Sequence, residues 1–181
     1  MATEVKSESA KIECHRLDTD KQVLFYENDF YVLSNFSAFR VIWRGRDFDT
    51  SEHAYHWERF ATGQDQPGRG PAFGSMAWPI ADDIRFAKSA HDAFAIAQAN
   101  KSLQRPDWDA VKLDVMRRIL RKKVAQHEYV RRKLLDTGDR ELIEDSWRDD
   151  FWGWGPNRTG LNMLGKLWME VRSELRNPSP A

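Results

Sequence analysis

Leu161-Asn162-Met163-Leu164-Gly165-Lys166-Leu167-Trp168-Met169-Glu170-Val171-Arg172-Ser173-Glu174-Leu175 decides the fold class. Leu161, Leu164, Leu167, Trp168, Val171 and Leu175 recur every three or four residues, which sets them along one face of a helix and demands a body to bury that face. Trp108, Val111, Val115 and Ile119 repeat the pattern in a helix beginning near Arg105-Pro106-Asp107. Shorter helical patterns cover 80–88, 92–100 and 127–135, the last stopped by Thr137-Gly138. Thr50 or Ser51 caps another helix running to about Ala61, with Glu52 in its first turn, where the helix dipole favours a carboxylate. Ahead of these lie strand-like runs at 23–26, 39–43 and 47–48, the last two separated by Arg44-Gly45-Arg46 as a hairpin turn. The expected fold is mostly α (α+β): one multihelical domain over residues 21–176 with a small N-terminal β-sheet. Residues 1–20 read as a disordered leader and 177–181 as a flexible tail.

Composition narrows the functional class. The 181 residues are 41% hydrophobic and 12% aromatic, which suits a single globular domain. No apolar run approaches the roughly 18 residues that a membrane helix needs, and the start lacks the apolar stretch of a secretion signal. Cys14, the sole cysteine, sits in the leader, so no internal disulfide framework is expected and a reducing compartment fits. The expected setting is cytoplasmic, with the nucleus left open. Twenty-eight basic residues balance twenty-eight acidic ones, which argues against a dedicated nucleic-acid coat protein. The basic block of Arg117, Arg118, Arg121, Lys122, Lys123, Arg131, Arg132 and Lys133 reads as a solvated helical face. Residues 62–71, rich in glycine and proline, read as a mobile loop.

Glu144-Asp145-Ser146-Trp147-Arg148-Asp149-Asp150-Phe151-Trp152-Gly153-Trp154-Gly155 has the composition of a site. Carboxylates move protons and stabilise cations, indoles offer flat stacking surfaces, and glycines let backbone approach a ligand closely. His53 and His56 share a helical face but lack the partners of a recognisable metal motif, so no metal or other cofactor is expected. There is no P-loop, no dinucleotide-binding glycine motif and no Gly-x-Ser-x-Gly elbow. What remains is Glu52 with Asp149 or Asp150, and the aromatic platforms Trp108 and Trp152. Cleaving a glycosidic bond passes through an oxocarbenium-like cation, which calls for a carboxylate near the sugar and a second group to assist the water or the leaving group.

Several motifs in order carry a resemblance. They are Leu33-Ser34-Asn35-Phe36, Thr50-Ser51-Glu52-His53, Arg105-Pro106-Asp107-Trp108-Asp109 with Val111-Lys112 and Met116, Leu135-Asp136-Thr137-Gly138-Asp139, Glu144, the spacing from Asp149 to Trp152-Gly153, and Gly160-Leu161-Asn162-Met163-Leu164-Gly165. From Phe25 to Leu175 the chain resembles the NADAR family, also called YbiA-like proteins. The resemblance implies a YbiA-like multihelical fold and hydrolysis of N-glycosidic bonds. It also implies two substrate classes, ribosylamino intermediates of riboflavin synthesis and ADP-ribosyl groups on guanine. The family's acid in Ser-x-Glu-His falls on Glu52, its tryptophan before Val-Lys on Trp108, and its aspartate three before Trp-Gly on Asp149. Two departures bear on substrate choice: Arg59-Phe60 stands where relatives often carry Lys-Phe, and Ala99-Asn100 where they carry Gly-Arg.

The expected activity is therefore removal of ADP-ribose from ADP-ribosylated guanine, free or carried on DNA or RNA. Phosphoribosylamino intermediates of riboflavin synthesis are the alternative substrate. A non-catalytic ADP-ribose-binding module and a nucleic-acid-binding protein are the rival classes. Glu52 and Asp149 are the expected acids, their roles interchangeable, and Lys112 is a candidate for a Schiff base with opened ribose. Trp108 and Trp152 would stack on rings, Asn35 would bond ribose and Arg59 would face phosphate. Phe36, Gly153 and Asn162 complete the expected substrate contacts.

Overall fold

The computed structural model of the protein describes residues 18–26, 28–61 and 77–177. Cys14, nearly all of the expected leader, the 62–76 segment and the last four residues lie outside the described residues.

Strand β1 (Gln22–Phe25) is followed by a 3-10 turn at Asn28–Leu33 and a hairpin of β2 (Val41–Trp43) and β3 (Arg46–Phe48). Five helices come next: α1 (Ser51–Glu58), α2 (Ala77–Arg85), α3 (Ala90–Ala99), α4 (Trp108–Gln126) and α5 (Glu128–Asp136). Strand β4 (Glu141–Glu144) and helix α6 (Met163–Arg176) complete the fold. In the hairpin, Arg44 and Gly45 take φ of 49° and 72°. Two successive left-handed residues match the twist of the flanking strands, so the turn can be this tight.

The sheet is not wholly N-terminal. Strand β1 pairs in parallel with β4, in the register Gln22↔Glu141 to Phe25↔Glu144, so five helices lie in sequence between two adjacent strands. Four residues with acids at both ends, Glu-Leu-Ile-Glu, show no strand period; pairing with β1 and burial under α6 make them a strand. This places Glu144 in the protein interior.

Helices α4 and α6 form the spine. Val115, Met116, Ile119 and Leu120 share one core with Leu164, Leu167, Trp168 and Val171. Leu161 lies outside this stripe, 54% exposed, because Asn162 turns left-handed (φ 50°) and the helix begins only at Met163. The basic block is likewise not one solvated face. Arg117 and Arg121 reach across to Glu170 and Glu174 on α6 at 2.8 and 2.6 Å, and Lys123 is fully buried. The Lys123 Nζ donates to Ser34 O (2.9 Å) and Ser37 Oγ (2.8 Å), and burial pushes its ammonium down to about 7. It thereby pins the loop that carries Asn35.

Every residue of α1 is buried, although five of its eight residues are polar or charged. Such a helix is tolerable only if most of its polar groups find partners. Glu58 accepts from Trp43 Nε1 and from Arg44 Nε and Nη2, all at 2.8 Å. His53 meets Thr50 Oγ1 at 2.8 Å and Ala87 O at 3.2 Å. The Thr50 hydroxyl also caps the helix by accepting from the His53 N–H at 3.3 Å. Ser51 Oγ and Trp57 Nε1 are buried without a hydrogen-bond partner among the described residues, while Glu52, Tyr55 and His56, with the capping Arg59, face a cleft.

Candidate active site

Spacings of three and four along α1 put Glu52, Tyr55, His56 and Arg59 on one face. Opposite them stand Trp108, Asp109 and Lys112 from the first turns of α4, Gln104 from the turn before it, and Asp149 to Trp152 from the loop joining β4 to α6. They enclose a cleft of about 460 Å³. Glu52 and Asp149, 97 residues apart in sequence, line the same cavity.

Glu52 belongs to a chain of polar contacts. His56 Nε2 lies 2.7 Å from Glu52 Oε1, and Arg59 Nη1 lies 3.1 Å from His56 Nδ1. A guanidinium can only donate, so His56 Nδ1 accepts and the imidazole proton sits on Nε2, where it is donated to Glu52. Arg59 is held in turn by Gln104, whose Oε1 accepts from Nε (3.1 Å) and Nη2 (2.7 Å). Three of the five guanidinium protons are thus engaged, and two have no acceptor among the described residues. Burial lowers the affinity of Arg59 for its proton, opposed by Tyr55, Glu52 and Asp109. At the helix start the Glu52 N–H donates to Asn35 O at 3.1 Å, which fixes where α1 begins.

Asp149 is held differently. Its Oδ1 accepts from the backbone N–H groups of Phe151 (2.9 Å) and Trp152 (2.8 Å), which folds the loop back on the carboxylate. The Oδ2 atom makes no hydrogen bond with the described residues and is available to a ligand. Between the two acids stands Tyr55, its ring 4.9 Å from Trp108 and 5.4 Å from Trp152, the latter nearly perpendicular. Burial, then the charges of Glu52 and Asp149, push its phenol above the ordinary range, so it keeps its proton and can donate.

The expected site residues fall into two groups. Glu52, Arg59, Trp108, Lys112, Asp149 and Trp152 line the cleft. Lys112 donates to Asp109 Oδ1 at 2.9 Å and stands 4.2 Å over the Phe151 ring, so its amine is engaged as a cation. Asn35, Phe36, Gly153 and Asn162 are not among the lining residues. The Asn162 side chain accepts from Glu144 N (3.0 Å) and donates to Leu142 O (2.8 Å), so its amide clamps β4 rather than facing the cleft. Gly153 packs so tightly that a Cβ there would come within 2.8 Å of Glu144 O. Asn35 is buried with its Nδ2 directed at Met116 Sδ, 3.4 Å away, while Phe36 is 47% exposed. All four hold or flank the elements that carry the cleft.

Tyr55, His56 and Glu144 complete the acid cluster; the sequence marked His56 only as half of an incomplete metal pair and Glu144 only as a motif residue, and it set none of the three with Glu52 and Asp149. Tyr55 and His56 could have been found from the register of α1 with Glu52. Glu144 was hidden by its strand. It is 8% exposed, its Oε2 has no hydrogen-bond partner among the described residues, and its carboxyl is pushed up to about 8, by burial first and then by Asp149 and Glu52.

A mostly helical domain sets two separated carboxylates in one cleft among indoles and a guanidinium with protons to spare, side chains of the types that stack on flat rings and pair with anions. The chain belongs to the NADAR domain family, which it matches over residues 24–176. It is 36% identical to N-glycosidase Npun_R5314 of Nostoc punctiforme, over 86% of this chain and 93% of that protein. With N-glycosidase YbiA of Escherichia coli it shares 32% identity over 86% of this chain and 89% of that one. Riboflavin biosynthesis protein VVA0006 of Vibrio vulnificus is 32% identical over 89% of this chain, which spans only 40% of that longer protein. The NMR structure of E. coli YbiA superposes with a TM-score of 0.70 at 29% identity, covering 89% of this chain and 90% of that one. Among the described residues no helix is long and apolar enough to cross a membrane.

Proposed function

We propose that the protein is an N-glycosidase that breaks the bond between ribose and a base, with ADP-ribosylated guanine as its substrate. The observation that carries this reading is the shared cleft of Glu52 and Asp149. Tyr55, Trp108 and Trp152 form its aromatic wall, and Arg59 has two protons left for phosphate. Water adds to the anomeric carbon as the C–N bond breaks, and the bonding pair leaves on the base nitrogen. One carboxylate, Asp149 in this reading, takes a proton from the water and offsets the positive charge that builds on the sugar. The base nitrogen ends protonated. Glu52, oriented by His56, binds the ribose hydroxyls or passes the proton on, and the indoles hold the rings of sugar and base.

A phosphoribosylamino intermediate is the second reading, favoured by the names of relatives such as VVA0006 and the maize protein PYRR, both described as riboflavin biosynthesis proteins. The same cleft would seat its phosphate on Arg59. Incubation with an ADP-ribosylated guanine oligonucleotide and, separately, a ribosylaminouracil phosphate distinguishes the two. Release of ADP-ribose by the wild type, lost in Glu52→Ala and Asp149→Ala, is the expected result. Tight ADP-ribose binding with the modified guanine left intact would make the protein a reader instead.

A further inference from the structure

Beside the cleft lies a second cavity of about 340 Å³, whose walls include Asp150, Phe151, Trp154, Asn157, Thr159 and Leu161. Asp150 and Phe151 line both cavities, so two residues of loop divide them. No step of the proposed hydrolysis uses this space.

The cavity is built by main chain. Gly160 N donates to Trp154 O (2.8 Å), Leu161 N to Asp150 O (2.6 Å) and Arg158 N to Gly155 O (3.2 Å). At Gly160 a Cβ would come within 2.6 Å of Asp150 O, so the loop closes this tightly only with glycine there. Trp154 is fixed by its Nε1, which donates to Asp145 Oδ1 at 2.8 Å. The side chains of Asn157 and Thr159 are exposed and make no hydrogen bond with the described residues. Arg158 is exposed as well, its guanidinium 5.0 Å from the Trp154 ring centre. Further along the same loop Trp147 is 59% exposed, with Arg148 4.1 Å over its ring.

A fixed indole, amide and hydroxyl groups without partners among the described residues, and a cation beside that indole with no ion pair among the described residues are the parts that receive a nucleotide: stacking for the base, hydrogen bonds for its edge, charge for its phosphate. Asp150 on the shared wall repels phosphate, so a base edge rather than the strand's backbone lies on that side. The same loop carries a second exposed indole, Trp147, with the Arg148 guanidinium over its ring, a further stacking group outside the cavity.

We infer that this cavity seats a nucleotide neighbouring the modified guanine, which makes a single-stranded polynucleotide, rather than a free nucleotide, the preferred carrier of the ADP-ribosyl group. The inference rests on the proposed N-glycosidase reading for its substrate, but not for the binding surface itself.

The variant Asn157→Ala/Arg158→Asn tests it. Both positions are exposed, and asparagine accepts the left-handed backbone of residue 158, where φ is 57°. Kinetics with ADP-ribosylated guanine in a single-stranded oligonucleotide and with the same group on a mononucleotide are compared with the wild type. The expected result is a KM about ten-fold higher for the oligonucleotide, an unchanged mononucleotide KM, and a shallower salt dependence for the oligonucleotide by about one phosphate contact. If the two KM values move together, or neither moves, the inference is overturned. A wild type that cuts neither substrate defeats the proposed activity instead. In that case titration with an unmodified single-stranded oligonucleotide decides the surface: affinity about ten-fold weaker in the variant supports it, and equal affinity overturns it.

Discussion

Glu52 Oε1 and His56 Nε2 are 2.7 Å apart, one helical turn from each other, and the histidine is oriented from its far side by Arg59. The arrangement lets a helix with no free polar surface present one carboxylate to the cleft in a fixed direction. It also makes His56 a positioning residue, whose removal should affect catalysis more than folding.

His56→Ala is expected to lower kcat by about 10- to 100-fold, the value of a hydrogen bond to a charged group of about 1.5–3 kcal/mol. His56→Gln, which keeps a donor, should recover part of the loss. Steady-state kinetics on both variants, with melting temperatures as control, check this.

Asp149 combines two functions that substitution can separate. Asp149→Asn keeps an acceptor for the N–H groups of Phe151 and Trp152 but removes the charge, so kcat should fall about 10²- to 10³-fold with little change in stability. Asp149→Ala also frees the loop, and calorimetry should show a lower Tm for it than for the asparagine variant.

The buried Glu144 carboxyl gives a pH dependence of stability. Its proton is held up to about pH 8 in the fold but leaves near 4.5 in the unfolded chain. Between those values the unfolded state binds fewer protons, so this group makes the wild type less stable as pH rises. Glu144→Gln cannot ionise. Its Tm should therefore rise relative to that of the wild type between pH 5 and pH 8, and the difference should level off above pH 8. A difference independent of pH would show that the carboxyl ionises equally in both states.

Gly153→Ala forces a Cβ to within 2.8 Å of Glu144 O and 2.9 Å of Ser146 Cβ, and the first of these is backbone that cannot swing aside. A loss of about 1–3 kcal/mol is expected in chemical denaturation. Because the loop also carries Asp149, kcat should fall with it.

Lys112 is paired with Asp109 and stacked on Phe151, so borohydride added during turnover should leave the wild type without a trapped sugar. A trapped adduct that disappears in Lys112→Ala would make this lysine the nucleophile.

Helix periodicity made most of the fold legible, because Trp108, Val115 and Ile119 on α4 and Leu164, Leu167 and Trp168 on α6 are buried for the reason their spacing suggests. Strand β4 was not legible. Four residues carry no period, and their pairing with β1 depends on the 115 residues between Phe25 and Glu141 folding back. Glu144 was missed as part of the acid cluster for the same reason. Within the candidate site, Glu52, Trp108 and Asp149 were picked out by chemistry and by motif. Asn162 and Gly153 sit in equally conspicuous motifs, yet their contacts brace β4 and its loop. Sequence marks both kinds of residue alike; only the direction of the side chain separates them.

The most direct measurement is a crystal structure of Asp149→Asn with ADP-ribose bound. The account predicts the ribose between residues 52 and 149, with a diphosphate oxygen on Arg59 and a ring against Trp108 or Trp152. Ribose found outside this cleft, or meeting only one of the two side chains, would contradict the claim that both act on one sugar.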